Sequence, residues 1–171
     1  MQNNAQQNIL CIFTDAATSP QKEIAVGAFL CIKKIDINTS SNISKNISYN
    51  EYKSKKSTWS EIKTIINALK YTKKTYPECT TIHLYTDCQS ACDLLGDRKH
   101  KLLKNNFKSK TGKTLQNADL YKELFLTLEN LKIQAFKLKG HTKKENKVTA
   151  EEKIFSILDK ASRKKLRESI I

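Results

Sequence analysis

Four carboxylates stand where an acidic side chain is hard to explain as surface decoration. Asp15 follows the apolar run at residues 9–14, and Asp87 follows the run at 82–86. Glu61 lies four residues before Ile65, on the helical stripe of Ile62, Ile65, Ile66 and Leu69. Asp159 lies four after Phe155 and seven before Leu166. Burying a charge is costly unless something compensates it, so acids on apolar stripes need a partner. Grouped carboxylates are natural ligands of hard divalent cations, which take oxygen donors and leave coordination positions for water and phosphate. Singly, each acid has a plainer role. Asp15 and Asp87 can cap strand ends, Glu61 can favour the positive end of a helix, and Asp159 can sit at the rim of a surface face. Two strand-end Asp residues, a helix-start Glu and a late-helix Asp form a cluster only in particular folds.

The elements that must position them are legible in the hydrophobic pattern. Residues 9–14 are apolar on both faces, which predicts a central buried strand ending at Asp15. Residues 24–32, with Gly27 inside, predict a second strand. Residues 36–44 are polar and read as a loop. Ile47 and Tyr49 alternate with polar residues, as in a half-exposed third strand. Ser57 and Thr58 offer N-cap hydroxyls, with Glu61 near capping-box spacing, and the helix they start runs to about Thr75, before Pro77. Residues 82–86 form a strand and 89–95 a short helix ending near Gly96. Leu120, Leu124, Leu128 and Leu131 mark another helix. Residues 133–138 form a strand that ends at Gly140-His141, and 154–166 the last helix. The order is β-β-β-α-β-α, a basic segment, then α-β-α. It predicts an α/β fold with a sheet of mixed direction. Ligand sites in open α/β sheets collect beyond the carboxyl ends of strands, where Asp15 and Asp87 fall.

Short motifs at these positions resemble the ribonuclease H family over nearly the whole chain. They are Phe13-Thr14-Asp15, Gly27-Ala28-Phe29-Leu30, Glu61 with Ala68-Leu69, Tyr85-Thr86-Asp87-Cys88-Gln89-Ser90, Lys139-Gly140-His141-Thr142, and Asp159 followed by Ala161 and Arg163. The resemblance implies a mixed five-stranded sheet, three antiparallel strands then two parallel, flanked by helices. It implies an endonuclease that cuts the RNA strand of RNA/DNA hybrids. Asp15, Glu61, Asp87 and Asp159 would hold two Mg²⁺ or Mn²⁺ ions about 4 Å apart, which activate the attacking water and stabilise the leaving 3′ oxygen. His141 would shuttle protons or help release product. Gln89 matches a residue that reads the RNA minor groove, and Ser57 and Thr58 stand where the family often has Asn. Residues 97–114 carry Arg98, Lys99, Lys101, Lys104, Lys108, Lys110 and Lys113, with Asp97 the sole acid. They match a basic protrusion that grips the DNA strand through its phosphates.

Three departures from the family pattern are visible. Ala16 replaces the usual Gly after the first Asp. The basic segment has no tryptophan, the single one being Trp59. The stretch from His141 to Asp159 is long and charged, so Glu151 and Glu152 compete with Asp159 for the fourth ligand position. Two other readings stay open: a transposase-like DNA nuclease on the same fold, and a non-catalytic nucleic-acid-binding domain. The Gly-His loop and the carboxylate spacing argue against the first. The presence of all four acids argues against the second.

Composition bounds the rest. The 171 residues suffice for one domain with a real core, expected to span 1–171 with a disordered stretch at 1–8. Thirty-one basic and 17 acidic residues leave a net charge of +14, which suits an anionic partner such as nucleic acid, although a Lys/Asn/Ile-rich composition produces some of it. The five cysteines form no CxxC pair. Cys88 and Cys92 lack partners for a zinc site, so reduced thiols are expected. The longest apolar run, 24–32, is too short to span a bilayer, and residues 1–8 lack the pattern of a signal peptide. A monomer in the cytoplasm, away from membranes, is the expectation. Gly112-Lys113-Thr114 is not a phosphate-binding loop, because Phe107 stands where its first Gly belongs.

Overall fold

The five predicted strands form one sheet. In the computed structural model, which describes residues 9–33, 42–139 and 149–171, these are β1 (Ile9–Ser19), β2 (Ile24–Ile32), β3 (Ser48–Lys53), β4 (Thr81–Thr86) and β5 (Lys132–Lys137). Their order across the sheet is β3-β2-β1-β4-β5. β1 pairs antiparallel with β2, and β2 antiparallel with β3. β4 joins β1 in parallel and β5 joins β4 in parallel. This is the mixed sheet that the sequence predicts, and β1 is central because it is apolar on both faces. Leu10, Ile12 and Phe13 are all fully buried.

Helices cover both faces. α1 (Ser57–Thr75), α2 (Gln89–Leu95), α3 (Asp97–Lys104) and α4 (Ala118–Thr127) build one core with Leu10, Ile12 and Phe29 of the sheet. α5 (Ala150–Ile170) closes the other, over Phe13, Leu30 and Tyr85. On this second face Phe13, Tyr85 and Phe136 lie opposite one another on β1, β4 and β5. Their rings stack with centroids 4.6 and 5.0 Å apart, which fixes the register of the parallel strands beneath α5.

Several elements differ from the sequence expectation. β1 does not stop at Asp15 but runs on to Ser19. The basic segment is not all protrusion, because α3 occupies its first eight residues and buries Leu102. A 3-10 turn at Ile43–Asn46 inserts Ile43 into the core beneath α5. α4 ends at Thr127 rather than continuing to Leu131, and Asn130 takes a left-handed conformation (φ 66°) to turn the chain into β5. α1 begins after Lys56 with no side-chain cap, so Ser57 and Glu61 do not form a capping box. The capping box is at α5 instead, where Thr149 and Glu152 satisfy each other's backbone N–H groups.

Gly27 sets how closely α1 approaches the sheet. A Cβ there would lie 2.0 Å from Thr64 Oγ1 and 2.9 Å from the Tyr52 ring. Neither neighbour is loose. Thr64 Oγ1 donates to the Ser60 carbonyl at 2.7 Å and meets Tyr52 Oη at 3.2 Å, and Asn67 Nδ2 donates to the same Tyr52 oxygen at 3.1 Å. Gly27→Ala should therefore lower stability by about 1–3 kcal/mol, the usual cost of overpacking. In urea unfolding, Thr64→Ala should recover part of that loss when combined with it. Strictly additive losses would show that Gly27 and Thr64 do not compete for this space.

Candidate active site

The two central parallel strands part at one end, and the acids gather in the gap. β1 pairs with β4 only as far as Phe13 and Tyr85, whereas its ladder with β2 continues to Ser19 and Ile24. Asp15 lies on β1 just past the point of separation. Asp87 is the first residue after β4. Glu61 enters from the second turn of α1, and Asp159 from the middle of α5. All four line one cleft of about 520 Å³.

Asp15, Glu61 and Asp87 form the tight part of this group. Each offers a carboxylate oxygen, and these three atoms all lie within 4.8 Å of one another. Asp15 and Glu61 are each only 6% exposed. Glu61 Oε1 accepts the Ala16 N–H at 3.2 Å, whereas Glu61 Oε2 is buried without a hydrogen-bond partner among the described residues. Asp15 Oδ2 accepts a hydrogen bond from Ser162 Oγ on α5. Asp159 stands outside the tight group. Its Oδ1 pairs with Arg163 Nε at 2.9 Å, and its side chain is 23% exposed.

This crowding is electrostatically expensive. Burial pushes the Asp15 carboxyl up to about 6, opposed by the Ser162 donor and reinforced by the charges of Asp159 and Asp87. Glu61 is pushed well above the ordinary carboxylate range. Burial is again the main cause, with Asp15 and Asp87 adding to it and the Ala16 N–H working against it. An arrangement that strains its own charges this way suits a cation. All the donors in the group are carboxylate oxygens, which matches the demands of Mg²⁺ or Mn²⁺. Cys88 lines the same cleft. Burial raises its thiol to about 11, so it stays neutral rather than offering a soft thiolate.

The remaining sequence candidates fall around this cleft in different ways. Ser57, Thr58 and Gln89 line it, and all three are exposed. The Gln89 amide is held at both ends, donating to Asp93 Oδ1 and accepting from Lys137 Nζ, each at 2.7 Å. Arg98 and Lys99 are half-buried, and their cations lie over the rings of Tyr121 and Phe125 at 5.6 and 5.5 Å. They therefore dock α3 on α4, while Lys101 and Lys104 stay exposed. His141 lies outside the described residues. Glu152 is occupied by the capping box, accepting the Thr149 N–H at 3.3 Å. Glu151 acts on Cys11 and Tyr85. Of these two acids and Asp159, only Asp159 lines the cleft.

Sequence reasoning missed Ser162 and the Ala16 N–H. A signal for Ser162 existed, since it interrupts the buried stripe Phe155, Leu158, Leu166 with a hydroxyl. The Ala16 amide had none, because its availability depends on where β4 stops.

Comparison with known proteins gives one family match and a set of structural likenesses. The family model described as RNase H matches residues 7–152, ending just before Asp159. A direct sequence comparison with curated proteins finds no match. Among solved structures, the chain resembles the solution structure of the PFV RNase H domain, with a TM-score of 0.64, 16% identity, and coverage of 92% of this chain and 93% of that one. It also resembles LC9-RNase H1, described as a type 1 RNase H with the type 2 active-site motif, with a TM-score of 0.61, 13% identity, and coverage of 79% and 64%. A third likeness is to the foamy viral protease-reverse transcriptase in complex with an RNA/DNA hybrid, at a TM-score of 0.60 and 12% identity. It covers 92% of this chain but 20% of that one. At these identities the likeness is one of fold.

The buried-charge argument predicts a pH signature in metal-free protein. Between the ordinary aspartate value and about 6, folded Asp15 retains a proton that the unfolded chain releases. The folded state then binds more protons, so this acid subtracts from stability as pH rises through that window. Asp15→Asn carries no such penalty and still offers Ser162 an acceptor. In urea unfolding with EDTA, its advantage over wild type should be small near about pH 4 and reach about 2–3 kcal/mol near about pH 7. A difference independent of pH would show that the Asp15 charge is not destabilised by folding.

Proposed function

The chain belongs to the RNase H family, and from that premise we propose that it is a divalent-metal-dependent endonuclease cutting the RNA strand of RNA/DNA hybrids. The observation that carries this reading is the convergence of Asp15, Glu61 and Asp87 within 4.8 Å, with one Glu61 oxygen buried and without a partner among the described residues. These three acids, with Asp159, would hold two Mg²⁺ or Mn²⁺ ions. The ions would supply charge neutralisation at the scissile phosphate and a nucleophilic water at neutral pH.

The chain's own residues do the positioning. The Ala16 N–H fixes one oxygen of Glu61 and leaves the other for a ligand. Asp159, half-buried and paired with Arg163, is the most adjustable of the four acids. The hydroxyls of Ser57 and Thr58 and the amide of Gln89 line the same cleft and can meet the 2′-hydroxyls and base edges that separate RNA from DNA. Lys101 and Lys104 are exposed on α3 and can contact phosphates without reading sequence. Arg98 and Lys99 share that role less, being engaged with α4. His141 would shuttle protons or help release product. A region of the foamy viral protease-reverse transcriptase shares this fold, and that protein has been captured with an RNA/DNA hybrid. The same choice of substrate is proposed for this chain.

The test is a cleavage assay on an RNA/DNA hybrid, duplex DNA and duplex RNA, with Mg²⁺ or Mn²⁺ and with EDTA. Cleavage of the hybrid's RNA strand alone, abolished by EDTA, is the expected result. Asp87→Asn should slow it by at least about a thousandfold, with hybrid binding largely retained. Undiminished turnover by that variant, or cleavage unaffected by EDTA, would sink the proposal. Preferential cutting of duplex DNA would move the enzyme to a different nuclease class.

A further inference from the structure

α5 does more than deliver Asp159. Ser162 follows it by three residues, so its side chain returns to the same face of the helix. The Ser162 side chain is fully buried, and its Oγ lies within hydrogen-bond reach of two acceptors. One is Asp15 Oδ2 on β1, and the other is the Asp159 main-chain carbonyl at 2.9 Å. A single hydroxyl thus ties the central acid of the sheet to the helix that carries the fourth acid. Arg163, the next residue, lines the cleft and pairs with the Asp159 carboxylate at 2.9 Å.

We propose that Ser162 is a positioning residue of the metal centre, orienting Asp15 and setting the place of α5 against β1. The inference rests on the metal-centre reading above. Its physical content is specific. By donating to Oδ2, Ser162 fixes the rotation of the Asp15 carboxylate and leaves Oδ1 as the atom for a cation. Because Ser162 is carried by α5, the same bond couples that orientation to the depth at which α5 sits. A hydroxyl suits this position better than a cation does. A Lys or Arg in its place would neutralise Asp15 and compete with the metal, whereas Ser162 orients the acid and leaves its charge intact. Groups that orient metal ligands by hydrogen bonds commonly contribute tenfold or more to affinity.

The experiment is calorimetric titration of Mn²⁺ into the metal-free full chain, comparing wild type with Ser162→Ala, Ser162→Cys and Ser162→Thr. Cys preserves the volume but is a weak donor, and Thr preserves the donor. Ala and Cys should each weaken Mn²⁺ binding about tenfold or more, while Thr stays near wild type. In hybrid cleavage, the Ala defect should shrink as Mg²⁺ is raised, so that the metal concentration for half-maximal rate moves more than the maximal rate. Circular dichroism melts in EDTA establish that each variant is folded. Wild-type affinity in both Ala and Cys would overturn the role of Ser162 while leaving the metal centre standing. An absence of Mn²⁺ binding by the wild type would overturn the metal-centre reading itself, and this inference with it.

Discussion

Three carboxylates within reach of a single cation, two of them buried, repel one another and resist desolvation at the same time. The rest of the molecule depends on keeping them there. Folding would spread them apart if it were free to, because each gains hydration by moving outward. They stay because each is anchored in an element that cannot move cheaply. Asp15 is on the central strand, Asp87 is at the end of a strand whose ring stack ties it to β1, and Glu61 is on a helix that packs against the sheet on a glycine. The apolar cores on the two faces of the sheet supply the free energy against which this local repulsion is held. Functional sites commonly draw on stability in this way.

The same constraint explains the division of labour between the faces. The α1 side carries the larger core and fixes Glu61 rigidly, with the close contact at Gly27 leaving little play. The α5 side carries fewer residues, and its helix reaches the site through polar contacts, Ser162 to Asp15 and Arg163 to Asp159. Packed elements therefore anchor the acids, while hydrogen bonds from the β1 backbone and from α5 orient Glu61, Asp15 and Asp159. On the function proposed above, a centre that accepts and releases a phosphodiester would benefit from such an asymmetry, since a fully rigid set of ligands would adapt poorly to changing coordination.

Much of this was legible in the sequence, for identifiable reasons. Asp15 and Asp87 stood out because buried strands announce themselves as apolar runs, and an acid that ends such a run is conspicuous. Glu61 stood out because it shares a helical stripe with isoleucines. Where side chains are small, the signal faded. Ala16, Ala17, Thr18 and Ser19 extend β1 beyond Asp15, yet nothing in their hydrophobicity says so, because pairing with β2 holds them rather than burial of bulk. The basic run hid α3 for the opposite reason. Its charges mask the single buried Leu102, and the cation–ring contacts that dock Arg98 and Lys99 depend on where α4 lies. Glu61 also suits the positive end of a helix, and its bond to Ala16 exists only because the pairing of β1 with β4 ends two residues short of Asp15. Contacts made across the sheet end are set by strand lengths, which no local pattern encodes.

The charge of the chain bears on how such a site would be reached. A cluster of acids repels a polyanion at close range, while the protein as a whole carries +14. The two act at different distances. In salt of physiological strength the field of a few acids fades within roughly 8 Å, whereas lysines spread along α3 and the segment after it can meet phosphates one after another along a duplex. Attraction at the flanks therefore has to bring the backbone in before the acids act on it. Cations seated among the acids would then turn the last short-range repulsion into attraction. On this account metal and nucleic acid favour each other's binding, and the acids that make the metal-free protein less stable are the ones that make it selective for a metal-loaded encounter.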